Sequence, residues 1–342
     1  MGVVALALLV ACGDEPPLRL RLVTWNVGTV GGDDPRYIYR IADQAYEDCV
    51  GDRLRALAPD VVLLQEVLAP PRCAAFVESD GTRTCRDAAR RPPAVRRLLG
   101  PGYTIACDAR GHVECVGVAT SLGTIAGLAP GALGLDAAET PALPLPPCDY
   151  ARGECDETRC DAESTVSAVT IGTRRGPLRL VHVHPSAPGT SAAGLFWSTA
   201  CRAAQLRQVF DGLPDAGGGP LVTADVTVVA GDFNLDPVRL IDEATRRLWE
   251  RNVGEGRRFR DLTPSAPDGT QYGTRRGNVG IAADHVLADR LVGRCIVHGH
   301  EIGVDPGTRP LDADCVGLLP DARAASTRRI DHFAITCELV WP

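Results

Sequence analysis

The chain has 342 residues, 45% of them hydrophobic, with a mean hydropathy of -0.02 and a formal net charge of -7. That is long and apolar enough for one large domain or two ordinary ones and argues against disorder, while the acidic balance gives no general attraction for nucleic acid or anionic lipid beyond what a local arginine cluster supplies. All 36 basic residues are arginine, so phosphate-loop NTPases, protein kinases, pyridoxal enzymes and Schiff-base aldolases are excluded, since each needs a lysine amine.

The first predicted element concerns export. From Gly2 to Ala11 the run is uncharged and small or apolar, about half of what a helix needs to cross a bilayer. Leu9, Val10 and Ala11 before Cys12 resemble the end of a bacterial lipoprotein signal, although the usual positive start is missing. Residues 1–12 are therefore expected to be an export signal with Cys12 lipidated, residues 13–17 a linker, and the protein an envelope lipoprotein or a secreted bacterial protein, acting as a monomer. An N-myristoylation motif fits less well, because Leu6 stands where Ser or Thr is wanted. Setting Cys12 apart from the 13 cysteines leaves an even number, as in a disulfide-bonded exported chain. Cys73 with Cys85, Cys107 with Cys115 and Cys295 with Cys315 are the expected local bridges. Cys148, Cys155 and Cys160 lie in a Gly-, Pro- and acid-rich stretch at 126–163, expected to be a cysteine-braced insertion; a zinc site there would need a fourth ligand and reduced thiols.

Residues 18–342 then read as one domain. LRLRLVTWNV alternates before turning fully apolar, a strand ending at Asn26. Ile41, Ala45, Leu54 and Leu57 predict a helix from about Tyr37 to Leu57, stopped by APD. VVLLQE is a buried strand ending at Glu66, and Val113 to Thr120 another. SAVTIGTRRGPLRLVHVHPSAP predicts two strands around a turn at Thr173 to Gly176, the second ending at His184. STACRAAQLRQVF predicts an amphipathic helix with Ala200, Ala203, Leu206 and Val209 or Phe210 on its buried stripe. VVAGDFN runs from an apolar strand into Asp232 and Asn234, GIAADHVLAD carries Asp284 and His285, and RRIDHFAITCEL carries Asp331 and His332.

A strand needs no acid at its end, whereas a site built at strand ends does. Six apolar runs here carry Asn26, Glu66, His184, Asp232 with Asn234, Asp284, and Asp331 with His332. The set suits metal-assisted attack of water on a phosphate ester. Glu66 and Asp331 offer hard oxygens to a divalent ion, carboxamides donate to phosphate oxygens, an acid orients water and an imidazole moves a proton. His182 and His184 share a strand face, but no Asp follows at the spacing of common zinc hydrolases, so His182 reads as structural and His184 as catalytic. His285 reads as structural beside Asp284, and His298 and His300 as solvated. GTSAAG at 189–194 lacks the spacing of a nucleophile elbow.

In order, TWNV, LLQE, HVHPSAP, GDFN, ADHVLA and IDHFAIT resemble the endonuclease/exonuclease/phosphatase family, from about Leu18 to the C-terminus. The resemblance implies a four-layer α/β sandwich of two packed, mostly antiparallel sheets flanked by helices, with Mg2+ (or Mn2+ or Ca2+) at one edge. It implies that Glu66 is the principal metal ligand with Asn26 close by and Asp331 near the ion. Asp232 would activate water, Asn234 and His184 would bind the phosphate, and His332 would pair with Asp284 beside the phosphorus. Two departures stand out: Ile330 replaces the Ser usual before the closing Asp-His pair, and Cys115 falls where many repair nucleases carry an aromatic. The expected activity is phosphodiester hydrolysis. The substrate stays open between nucleic acid, for which GTRRGNVG and Arg328 with Arg329 could line a groove, and a phospholipid head group, for which GLFW at 194–197 is the one apolar candidate. A surface binding module on the same fold is the non-catalytic alternative.

Overall fold

The computed structural model describes residues 15–28, 44–67, 92–108, 113–147, 159–160, 164–187, 189–190, 196–197, 199–213, 218–239, 241–264, 274, 281–299, 309–318, 330 and 332–342. Cys12, Cys73, Cys85, Cys148, Cys155, His300, Asp331 and the arginines at 275, 276, 328 and 329 lie outside them. The first half gives β1 (Leu18–Asn26), α1 (Gln44–Ala56), β2 (Val61–Val67), α2 (Ala94–Leu99), β3 (Tyr103–Asp108), β4 (Val113–Ala119), β5 (Gly123–Ile125) and β6 (Leu133–Gly134). The second gives β7 (Thr165–Thr173), β8 (Gly176–His184), β9 (Gly189–Thr190), β10 (Phe196–Trp197), α3 (Thr199–Phe210), β11 (Val226–Asp232), α4 (Glu243–Asn252), β12 (Arg260–Asp261), β13 (Asp284–Ala288), β14 (Val292–Val297) and β15 (Ile335–Trp341).

Two sheets form the centre, in the orders β14-β15-β1-β2-β4-β3-β6 and β12-β13-β11-β8-β7-β5. Only β1 with β2, β3 with β6 and β8 with β11 run parallel; the other pairs within these sheets are antiparallel. β2 and β11 are buried along their whole length, which is why they read as unbroken apolar runs rather than alternating ones. Leu20, Leu22, Leu63 and Val116 of the first sheet meet Ile171, Leu180, Val228 and Val286 of the second in the inter-sheet core. Val23, Leu64 and Ile105 on the outer face of the first sheet pack under Val50 and Leu54 of α1 and Leu98 of α2. Val181, Val183 and Val229 on the outer face of the second pack under Leu206 and Val209 of α3 and Leu248 of α4. The layers are thus helix, sheet, sheet, helix, the sandwich that the motif order implied.

Three expectations are corrected. The expected Leu206, Val209 and Phe210 are buried on α3, but Ala200 and Ala203 are not; Cys201, Arg202, Gln205 and Gln208 complete the buried face, because Arg202 and Gln205 point inward and find polar partners there. Cys295 pairs with Cys337, directly opposite it in the β14–β15 ladder, so the Cys295–Cys315 bridge does not form; Cys315 reaches Cys49 on α1 instead. His298 is half-buried and bonded to Thr336 at 2.7 Å rather than solvated. Cys107 does pair with Cys115, and Cys160 joins Cys201 on α3, which removes it from any zinc set.

Register decides where the chemistry gathers. β1, β2, β8 and β11 end at one edge of the sandwich, delivering Asn26, Glu66, His184 and Asp232. β4, β13 and β15 run antiparallel to these neighbours and start at that edge, so Glu114 and Asp284 arrive there from the beginnings of strands and His332 from the segment just before β15. At the opposite end, the β7–β8 turn holds residues 15–17: Arg174 donates to Pro17 O at 2.9 Å, and Arg175 to Glu15 O at 2.8 Å.

Candidate active site

The edge residues form one buried cluster. The Asn26 carboxamide nitrogen donates to Glu66 Oε1 at 3.0 Å and to Asp232 Oδ2 at 3.2 Å, bridging a carboxylate from each sheet, while its oxygen accepts from Gly28 N at 3.2 Å. Of the three residues expected at the ion, Glu66 therefore presents the spare oxygen, since Asn26 turns its nitrogen toward the acids and Asp331 is outside the described residues. Glu66 sits at φ 55, where the β2–β4 register shifts, so its side chain is set by an irregular backbone rather than by the ladder. Gly28 makes room for it: a Cβ there would lie 2.2 Å from Glu66 Cβ.

Two carboxylate–imidazole pairs flank this centre. His332 Nδ1 donates to Asp284 Oδ2 at 2.8 Å and its Nε2 lies 3.5 Å from Asp232 Oδ2. His184 Nδ1 donates to Glu114 Oε1 at 2.7 Å, and its Nε2 lies 3.5 Å from Glu66 Oε1 and 3.9 Å from Asp232 Oδ2. Burial alone would lower the His184 pKa, but Glu114 foremost, then Glu66 and Asp232, overcome it and push the imidazole up to about 10. His182, one pleat behind, goes the other way: burial and the neighbouring His184 cation push it down to about 3, and its neutral Nε2 accepts from Gln65 at 2.5 Å. Burial raises the Asp284 carboxyl, an effect that His332 opposes and Asp232 reinforces.

The supports are local. Asp284 N and Ala283 N both donate to Thr274 Oγ1, and Trp25 Nε1 donates to His332 O at 3.1 Å. Ile330, in the position where Ser was expected, is fully buried and its N–H goes to Tyr46 Oη at 3.2 Å, with Tyr46 donating in turn to Asp312 at 2.7 Å. His285 is structural as expected, its Nδ1 on Asp261 and its Nε2 on Ala282 O. Glu114, Gly28 and Thr274 were missed by the reading of strand ends; the one signal for Glu114 is an acid inside the otherwise apolar VECVGVA strand.

The arrangement fits a hard divalent cation. Among the described residues, Glu66 Oε2 and Asp284 Oδ1 are buried without a hydrogen-bond partner, so the acidic cluster keeps two desolvated oxygens available to a cation. Asp232, Asp284 and His332 also bring ligand atoms within 4.8 Å of one another.

A model of the endonuclease/exonuclease/phosphatase family matches residues 23–306. The chain belongs to this family and is a hydrolase of phosphate ester bonds, a class of enzymes that generally uses divalent metals. Among solved structures it is similar to a family protein from Bacteroides thetaiotaomicron, at 14% identity and TM-score 0.51, covering 96% of this chain and 100% of that one. It is also similar to the human Nocturnin catalytic domain with bound sulfate anion, at 14% identity and TM-score 0.51, over 95% and 93% of the two chains. ANGEL2, a 2',3'-cyclic phosphatase, matches at 10% identity and TM-score 0.52, over 95% and 96%. At these identities the likeness is one of fold. No curated protein matches the chain.

Proposed function

We propose that the chain is a divalent-metal-dependent phosphodiesterase, with magnesium, or manganese or calcium in its place, held principally by Glu66. The observation that carries this reading is the buried Glu66 oxygen that has no hydrogen-bond partner among the described residues, set among acids and histidines brought together from both sheets. An ion bound there supplies Lewis-acid polarisation of a phosphate oxygen and offsets the clustered negative charge. Asp232 Oδ2, within reach of Asn26 and of both catalytic imidazoles, takes the proton of the attacking water. Water oxygen bonds to phosphorus as the ester P–O bond breaks, and cationic His184 delivers a proton to the departing alkoxide. His332, fixed in orientation by Asp284, turns Nε2 toward the reacting centre. Asn234 spends one amide hydrogen on Pro185 O at 2.9 Å and keeps the second for a non-bridging phosphate oxygen. Both imidazole–carboxylate pairs are intact, which favours turnover over a non-catalytic binding module.

For substrate we favour a soluble phosphodiester, a nucleic acid foremost, over a phospholipid head group. The linker is clamped at the end of β1 opposite Asn26, and the nine residues of β1 separate the two ends by about 26 Å. A lipid at Cys12 would therefore hold the site facing away from its own bilayer. No described helix is long and apolar enough to cross a membrane. The test is hydrolysis of bis-p-nitrophenyl phosphate, plasmid DNA and sphingomyelin in parallel, with magnesium or EDTA and with the Glu66→Gln and His332→Ala variants. Magnesium-dependent cleavage of the first two substrates, lost in both variants, supports the reading. Cleavage of sphingomyelin alone overturns the substrate choice, and activity that survives EDTA overturns the metal.

A further inference from the structure

The polar residues on the buried face of α3 answer to no packing need, since a helix covering a sheet is ordinarily apolar on that side. Arg202 is 1% exposed, yet it belongs to none of the acid–histidine pairs. One terminal nitrogen, Nη1, donates to the backbone carbonyl of Asn234, and Nη2 donates to Asp242 Oδ2 at 2.8 Å. Asp242 is itself the N-cap of α4, accepting from Thr245 N at 2.9 Å. One turn along α3, Gln205 Oε1 accepts from Ser186 N at 2.8 Å, while its Nε2 reaches Ser164. The adjacent carbonyl, Pro185 O, is the acceptor for the Asn234 carboxamide. Cys201, beside Arg202, is tied to Cys160.

Asn234 has φ 50, a left-handed conformation that L residues other than glycine hold only when their surroundings insist. Its N–H is fixed by Asp232 Oδ1 at 2.8 Å, its side chain by Pro185 and its carbonyl by Arg202. Two of these three fixings depend on the inward polar face of α3.

We propose that Arg202 is a positioning residue that locks the Asn234 peptide so that its free amide hydrogen stays aimed at the phosphate, with Gln205 fixing the turn that carries the other anchor. Arg202 touches neither substrate nor reacting atoms; it acts through Asn234. The inference rests on the proposed phosphate contact of Asn234. Losing the lock leaves Asn234 able to relax toward a right-handed conformation and withdraw its donor, and a displacement of about 1 Å at a reacting centre is worth up to about a hundredfold in rate.

The experiment is a double-mutant cycle in the full-length oxidised protein, reading kcat and KM on bis-p-nitrophenyl phosphate with magnesium, alongside thermal unfolding. Arg202→Met keeps the packed stem and removes the donors, and Arg202→Lys keeps the charge. Asp242→Asn, which loosens the guanidinium from its other side, serves if Arg202→Met does not fold. The expected result is a ten- to hundredfold fall in kcat for Arg202→Met with KM changed less than threefold. Arg202→Lys should recover part of the loss. Arg202→Met or Asp242→Asn combined with Asn234→Ala should be no slower than Asn234→Ala alone, because both act through one donor. Losses that multiply, or a folded Arg202→Met with wild-type kcat, would overturn the lock. If Asn234→Ala by itself leaves kcat unchanged, the phosphate contact is wrong and the inference falls with it, an outcome distinct from multiplicative losses.

Discussion

Replacing Gly28 by alanine tests how tightly the site is built around Glu66. The new Cβ would lie 2.2 Å from Glu66 Cβ, 2.6 Å from its carbonyl oxygen and 2.7 Å from Oε2, where ordinary contact begins at 3.4 Å. The shortest contact alone is therefore deficient by 3.4 minus 2.2, or 1.2 Å. Glu66 cannot absorb this by a simple slide, because it already sits at φ 55 beside a register shift, with Asn26 holding its other oxygen. A displacement of that size corresponds to a loss in kcat of about a hundredfold, or about 2.7 kcal/mol of transition-state stabilisation. The assay is kcat on bis-p-nitrophenyl phosphate across a magnesium titration, with Gly218→Ala as control, since nothing lies within 4 Å of a Cβ there. Gly28→Ala should lower kcat and raise the magnesium concentration at half-saturation, while Gly218→Ala changes neither. A folded Gly28→Ala enzyme with wild-type kcat and metal dependence would refute the account of Glu66.

Glu114→Gln removes the largest of the influences that hold His184 protonated, so burial should bring its pKa down from about 10. The alkaline limb of the kcat profile should shift toward neutrality, and an unshifted limb would separate Glu114 from His184. A raised folded-state pKa contributes stability that is fully present below the unfolded value of about 6.5 and lost as pH rises through about 10. Urea denaturation of the metal-free proteins should therefore separate wild type from Glu114→Gln at pH 6 and bring them together at the alkaline end. Opening the Cys49–Cys315 bridge by a double Ser substitution should destabilise the protein by roughly 2–5 kcal/mol and also lower kcat, because the same region carries the Tyr46–Asp312 contact that holds Ile330. Calorimetry and turnover together check this. Leu63→Ala, in the inter-sheet core, should cost about 2–5 kcal/mol in urea denaturation with kcat of the folded fraction unchanged.

Much of this site was legible because a polar group at the end of a fully apolar run has no structural excuse. Asn26, Glu66, His184 and Asp232 all follow that pattern, and the structure brings them together. Glu114 did not follow it in the direction of reading. It sits near the start of a strand, and the antiparallel register to β2 that carries it to the site is a tertiary fact. The inward face of α3 is hidden from the sequence for a related reason. Period alone favours alanines over arginine and glutamine as buried residues, and nothing local reveals that Asn234 and Ser186 wait to receive the polar side chains. Closeness along the chain favours Cys315 as the partner of Cys295, whereas the cross-strand neighbour Cys337 is nearer in space. The layers themselves were readable only through motif order, since β14 and the edge strands carry weak patterns of their own.

The central claim is that Glu66 holds a divalent ion on which hydrolysis depends. The most direct measurement is Mn2+ binding by electron paramagnetic resonance, run beside bis-p-nitrophenyl phosphate hydrolysis, on wild type and Glu66→Gln. Wild type should bind the ion and regain activity in step with its occupancy after EDTA treatment, and folded Glu66→Gln should lose both. Hydrolysis at the wild-type rate by metal-stripped enzyme, or undiminished binding and turnover in Glu66→Gln, would contradict the account.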